Sequence, residues 1–244
     1  MDFSLLIENI KFHYNYVWLV GMNALYFFTL YFGLAPLFLS CCHWLTKRNI
    51  LSCILNKTAD EKQIRYEKSH SFVSIIIFSF SIVPIIYLGR LQVIKYLPDT
   101  TLNVIVGVIG LTLWNEVHFF AVHKLLHTKF LMRKVHFVHH CSKVPTVYAV
   151  YCFHWLEAIL LSTVPLCIAP FISFPFLSIA IYPLVSILFN YAGHCNYRFG
   201  NGEGNSWVLF STHHHQHHSN GKRNFGFILN HFDKLFITKQ KKLS

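Results

Sequence analysis

Long apolar runs joined by short polar links constrain this chain more than any other feature. Val17 to Ser40 is apolar except for Asn23, and Phe72 to Leu88 and Leu102 to Val122 repeat the pattern. Ala158 to Tyr191 is apolar again, interrupted by Pro165, Pro170, Pro175 and Pro183. A helix needs about 20 such residues to cross the hydrocarbon of a bilayer, and a helix satisfies its own backbone there. The three runs predict three membrane-spanning helices, the second short enough to require local thinning or snorkelling. The proline-rich stretch predicts a helical hairpin turning between Pro170 and Pro175, because proline lacks an N–H and punctuates or kinks a helix. The fold class expected is therefore an all-α integral membrane protein with four to five transmembrane helices or hairpin arms.

Composition agrees. Charged residues are 13% of the 244 and hydrophobic residues 54%, whereas a soluble domain carries about 25% charged residues. The net charge of +11 would suit nucleic acid only if Lys and Arg clustered on a soluble face. Here they lie between apolar runs, so nucleic acid is not an expected partner. Placing the basic loop from His43 to His70 in the cytoplasm follows the positive-inside rule. Counting crossings then puts residues 123–157, and everything from His194 onward, on that same side. Only Lys11, Arg90 and Lys95 of the 21 basic residues fall on the other. The seven cysteines form no CxxC pair and no regular framework, so they read as small buried apolar residues. No cleavable signal is expected at the first run.

The histidines carry the chemistry. There are 17 in the chain, and they concentrate in three patterns: His123-x-x-x-His127, His136-x-x-His139-His140 and His214-x-x-His217-His218. His194 stands at the end of the proposed hairpin. Residues three or four apart share a helix face, so His123 and His127 can aim at one point. His136 can pair with His139 or His140, and His214 with His217 or His218. Adjacent histidines diverge by about 100° around a helix, which suits two ions better than one. Imidazole suits several transition metals, but a structural zinc site closes with four ligands and commonly includes cysteine. An iron pair held by His123, His127, His136, His139, His140, His194, His214, His217 and His218 is the expected centre. His13, His43, His70 and His231 read as structural or surface residues, His213 and His215 as bystanders, and His118 and His154 as undecided.

The order of these motifs resembles the fatty acid hydroxylase and sterol desaturase superfamily of membrane di-iron enzymes, over roughly Asn115 to Thr238. HKLLHTKFLMRKVHFVHHCSKVPT, from His123 to Thr146, is similar to that family's HRxxHxxxxxxxxHxxHH core, with Lys124 in place of arginine. HWLE at His154 to Glu157 resembles its HPxE element, with Trp155 for proline. NYAGH ending at His194, HHQHH ending at His218, NFG at Asn224 to Gly226 and DKLFIT at Asp233 to Thr238 resemble its remaining elements. Ile237 replaces a glycine, and Glu116 stands where Asp is common. The resemblance implies a membrane anchor, residues 1–101, and a catalytic domain, residues 102–244, with a cytosolic histidine-rich helical cap over two irons.

Ligating histidines usually donate their second N–H to a carboxylate or carbonyl. Glu116, Glu157 and Asp233 are the carboxylates expected at the catalytic centre in that role. The activity expected is O2-dependent hydroxylation of a fatty acyl chain or sterol drawn from the membrane, with desaturation on the same site as the alternative. A non-catalytic metal-binding protein or transporter is the rival from another class, and its ligands should lie near the membrane midplane. No dinucleotide, haem or iron–sulfur motif is visible, so the resemblance implies an external electron donor such as cytochrome b5, ferredoxin or a reductase. Lys241-Lys242 near the end resembles a dilysine retrieval signal, which fits the endoplasmic reticulum, and a bacterial inner membrane fits the same topology. The sequon at Asn56-Lys57-Thr58 falls on the cytoplasmic side and should be unused.

Overall fold

The structure, a computed structural model, describes residues 3–198, 214–218, 224–228 and 232–235. His213, His231, Ile237, Thr238 and the Lys241-Lys242 tail lie outside these residues. Among the described residues, four helices are long and apolar enough to cross a membrane: α1 Tyr16–Lys47, α2 Glu61–Arg90, α3 Thr101–Leu126, and, after the shorter α4 Trp155–Ser162, α5 Phe176–His194. Their starts carry side-chain caps where a backbone N–H would otherwise lack a partner. Asn15 accepts from Trp18 N, Asp60 from Gln63 N and Thr100 from Asn103 N. The start of α5 is capped from a distance, with Asp99 Oδ1 accepting from Leu177 N at 2.9 Å.

The expected hairpin differs in its first arm. Only Trp155–Ser162 is regular helix, and residues 163–172 continue as hydrogen-bonded turns. Pro165 and Pro170 remove two N–H donors there. The turns hold through Cys167 N to Thr163 O and Ala169 N to Pro165 O, both 2.9 Å, while Trp114 Nε1 donates to Val164 O. This arm still runs the length of the bundle, because Tyr96 and Leu97 pair in parallel with Phe174 and Pro175. The long spanning helices among the described residues thus number four. Pro183 sits inside α5 without ending it.

At the opposite end, Ser52 and Cys53 pair antiparallel with Tyr197 and Arg198. The loop between α1 and α2 therefore meets the chain just beyond His194. The basic loop and the histidine motifs occupy one end of the bundle, as the crossing count requires.

Two contacts set the helix packing around the centre. Thr29–Gly33 is a π turn within α1, and such a turn leaves carbonyls without their usual helical partners. The buried Tyr191 hydroxyl donates to Leu30 O and Tyr31 O at 2.6 and 3.1 Å, tying α1 to the histidine end of α5. Gly107 of α3 faces Ser178 of α5, whose hydroxyl donates to Val104 O; a Cβ at Gly107 would lie 2.8 Å from Ser178 Cβ. Leu102, Ile105, Ile109 and Leu113 form an exposed apolar face on α3, at helical spacing and suited to lipid.

Candidate metal centre

His123 lies on the last turn of α3, and His127 caps its end. After Lys129–Leu131 the chain makes a π turn, Met132–His136, and then a short helix, Phe137–His140. His194 is the last residue of α5, and residues 214–218 are helical. These elements bring the nine histidines expected from spacing into two groups. His123, His127, His136, His140 and His217 form one, and His139, His194, His214 and His218 the other; within each group the ligand atoms lie within 4.8 Å of one another.

The choices that spacing left open are decided in favour of i, i+4. His136 pairs with His140, and His214 with His218. The adjacent pairs His139-His140 and His217-His218 split between the groups. The groups abut, with the His140 and His218 ring centroids 4.9 Å apart.

Tautomers explain what these rings can do. His123 Nδ1 is 2.8 Å from Phe225 O, and His194 Nδ1 is 2.9 Å from Asn190 O. A carbonyl only accepts, so each Nδ1 carries the proton and a neutral ring leaves a lone pair on Nε2. These lone pairs point at other nitrogens. His123 Nε2 is 3.1 Å from His136 Nε2, and His194 Nε2 is 2.9 Å from His214 Nε2, which is 3.1 Å from His218 Nε2. Two imidazole nitrogens bound about 2.1 Å from one ion at right angles lie about 3.0 Å apart. Nε2 of His127 and of His140 are buried without a hydrogen-bond partner among the described residues. A cation would satisfy such nitrogens, so the donor set fits metal.

Burial keeps these rings neutral. It holds His136, His139, His214 and His218 well below the ordinary histidine value, with neighbouring rings adding to the effect. His127 is brought down to about 3 and His140 to about 4, again chiefly by burial. Neutral imidazole is the form that ligates metal.

The three carboxylates divide. Glu157 Oε1 meets His136 Nδ1 at 2.9 Å, and burial pushes its carboxyl well above the usual range. Asp233 instead accepts from Phe225 N and Gly226 N, each at 3.0 Å, and Glu116 Oε1 accepts from Ile228 N at 2.8 Å. Of the three, the histidine contact seen is that of Glu157, while the bonds seen for Asp233 and Glu116 come from backbone N–H groups. The hydrogen bonds seen for them anchor the 224–228 segment, whose Phe225 carbonyl orients His123. The backbone made this partner invisible to residue spacing. His154 caps α4 through Leu156 N, and His118 Nε2 meets Thr163 Oγ1 at 3.0 Å. Neither belongs to the two groups, and nor does the half-buried His215.

A cavity of about 280 Å³ runs inside the bundle toward these rings. Its wall includes Phe119, Phe153 and Asn190. Phe119 lies 4.9 Å from the His123 ring, and Phe153 lies 5.2 Å from that of His139. Phe119 and Phe153 thus stand between the cavity and the two histidine groups.

A family model described as fatty acid hydroxylase matches residues 108–238, more than half of the chain. The chain belongs to the fatty acid hydroxylase family. Searches of curated proteins and of solved structures return no match. The family lies within the sterol desaturase and fatty acid hydroxylase superfamily. Membership in the fatty acid hydroxylase family indicates an oxidoreductase of the lipid hydroxylase kind, and the four long apolar helices indicate a membrane protein. Its metal capacity resides in the two histidine groups.

Proposed function

We propose that this protein is a di-iron oxygenase that hydroxylates a membrane lipid, an acyl chain or a sterol, using O2 and electrons from outside the chain. The observation that carries this reading is that two abutting histidine groups lie directly behind Phe119 and Phe153, wall residues of an apolar cavity inside the bundle. One ion would be held by His123, His127, His136, His140 and His217, and the other by His139, His194, His214 and His218. Iron bound there supplies O2 activation and oxidation of an unactivated C–H bond.

The chain's own residues do the rest. The Phe225 and Asn190 carbonyls fix the tautomers of His123 and His194, and Glu157 orients His136. Phe119 and Phe153 place apolar surface against the rings, excluding water from the reacting carbon. Residues 1–101 serve as the membrane anchor and also line the cavity through Asn23, Phe27 and Phe78. Residues 102–244 supply the centre. We place the histidine end in the cytoplasm, on the endoplasmic reticulum or a bacterial inner membrane, where cytochrome b5, ferredoxin or a reductase would deliver electrons.

The transporter reading is disfavoured because His123, His127 and His194 lie at helix ends rather than at their middles. The test uses purified full-length protein loaded with iron. Two irons per chain are expected, with His139→Ala and His140→Ala each losing one of them. With reductant and O2 the wild-type protein should add a hydroxyl to a lipid from membrane extracts. Metal binding without any oxidised lipid would defeat the enzymatic reading.

A further inference from the structure

The cavity is apolar over most of its wall but contains several polar side chains. Most are already committed to protein. Asn23 Nδ2 donates to Phe78 O and Ser79 O, and the Tyr26 hydroxyl to Ala180 O. Ser81 and Ser162 hydroxyls donate back to their own helices.

Three others, the half-buried Asn190, the buried Tyr151 and Asn115, show no side-chain hydrogen bond among the described residues, and the buried amide among them is Asn115. It lies on α3, is 4% exposed, and lines the cavity. Its side-chain amide has no hydrogen-bond partner among the described residues. A buried amide left unpaired is costly, and a Leu of nearly the same size would fill this place without that cost. The amide therefore has reason to exist only if something in the cavity completes its hydrogen bonds. Among the described residues, no Asp, Glu, Lys, Arg or His lines the same cavity, so a carboxylate or phosphate there would find no countercharge among them. An amide both donates and accepts, which matches a hydroxyl or a carbonyl.

We infer that Asn115 is a specificity-determining residue that hydrogen-bonds a neutral oxygen, a hydroxyl or carbonyl, carried by the lipid substrate inside the bundle. This rests on the proposed lipid oxygenase function and narrows its substrate class. Asn115 precedes His123 by eight residues on one helix, a rise of about 12 Å. The recognised oxygen and the oxidised carbon are thus separated along the lipid, and the amide sets which carbon reaches the metal end. A lipid whose charged headgroup stays in water would leave Asn115 unused.

The test measures binding, which needs no turnover. Full-length protein in detergent is titrated with a long-chain primary alcohol, the alkane of equal length and the carboxylic acid of equal length. Each carries a terminal bromine, and binding is read by quenching of tryptophan fluorescence. Wild-type protein should prefer the alcohol to the alkane and to the acid by about tenfold, the worth of one well-placed hydrogen bond. Asn115→Leu should bind the alkane as wild type does and lose the preference for the alcohol. If Asn115→Leu fails to fold, Asn115→Ser, whose shorter side chain retracts from the cavity, should still reduce that preference. Equal wild-type binding of alcohol and alkane overturns the inference, as does acid binding as tight as alcohol, or a preference that survives both substitutions. Iron content and O2-dependent turnover, measured on the same preparations, report separately on the oxygenase reading. Absent turnover with intact discrimination would defeat that reading and leave the subsite standing.

Discussion

His136 and Glu157, 21 residues apart in the chain, meet through Nδ1 and Oε1 at 2.9 Å with both side chains almost wholly enclosed. His136 thereby turns Nε2 toward His123, at the heart of the larger histidine group. The contact also places a carboxylate beside a site built to hold positive charge from neutral ligands. Replacing Glu157 with Gln keeps the size but offers an amide in place of the carboxylate. Iron affinity, measured by competition with a chelator, should fall about 10–100-fold, with turnover falling alongside. Unchanged affinity would mean that the contact does not orient the ligand.

Asp233 acts one step further out. Its two oxygens hold Phe225 N and Gly226 N, and Phe225 O holds His123. Asp233→Ala leaves two backbone donors without these acceptors, at a cost of about 1–3 kcal/mol for each that stays buried. Iron should be lost first from the group containing His123 and last from the group containing His194. Spectroscopy resolving the two irons checks the order, and equal loss from both would defeat the linkage.

Gly107 permits the close approach of α3 and α5. A valine there would drive its Cβ against Ser178 Cβ and Pro175 Cδ, which lie 2.8 and 3.2 Å from the position it must take. Forcing extra atoms into a packed contact costs about 1–3 kcal/mol. Gly107→Val should lower the thermal midpoint in detergent, and Gly107→Val combined with Ser178→Gly should recover part of the loss. No change in midpoint would show that the helices are not packed this closely.

Acid should destabilise the metal-free protein. In the fold His127 titrates at about 3 and His140 at about 4, because burial opposes their charged forms, whereas an unfolded histidine titrates near 6.5. Between about pH 6.5 and about pH 4 the unfolded chain takes up protons that the folded chain refuses, so stability falls as pH falls through that window. Above about pH 6.5 both states hold neutral rings and the contribution is constant. Denaturant unfolding of metal-free protein should show this slope, and His127→Phe with His140→Phe should make it shallower, the remaining buried histidines keeping the rest. A wild-type curve with no slope there would contradict the burial of these rings.

The membrane helices were legible because hydrophobic length is a local property. Val17 to Ser40, Phe72 to Leu88 and Leu102 to Val122 each fall within a helix of the structure. The metal groups were largely legible too, since i, i+4 spacing is local and His136 with His140 or His214 with His218 needs only a helix. The first arm of the hairpin was misjudged in form: Pro165 and Pro170 turned a regular helix into bonded turns, with Trp114 of α3 donating to Val164 O and His118 meeting the Thr163 hydroxyl.

By itself, the sequence determined that the chain crosses a membrane and that histidines converge at helix spacing, because both depend on neighbours along the chain. Only the tertiary structure decided which histidine joins which group, since His139 and His140 are separated by the direction in which each ring leaves a single turn. It also decided what orients them. The Phe225 and Asn190 carbonyls and the place of Asn115 in the cavity depend on backbone and helices brought together over long separations, and no residue type announces them.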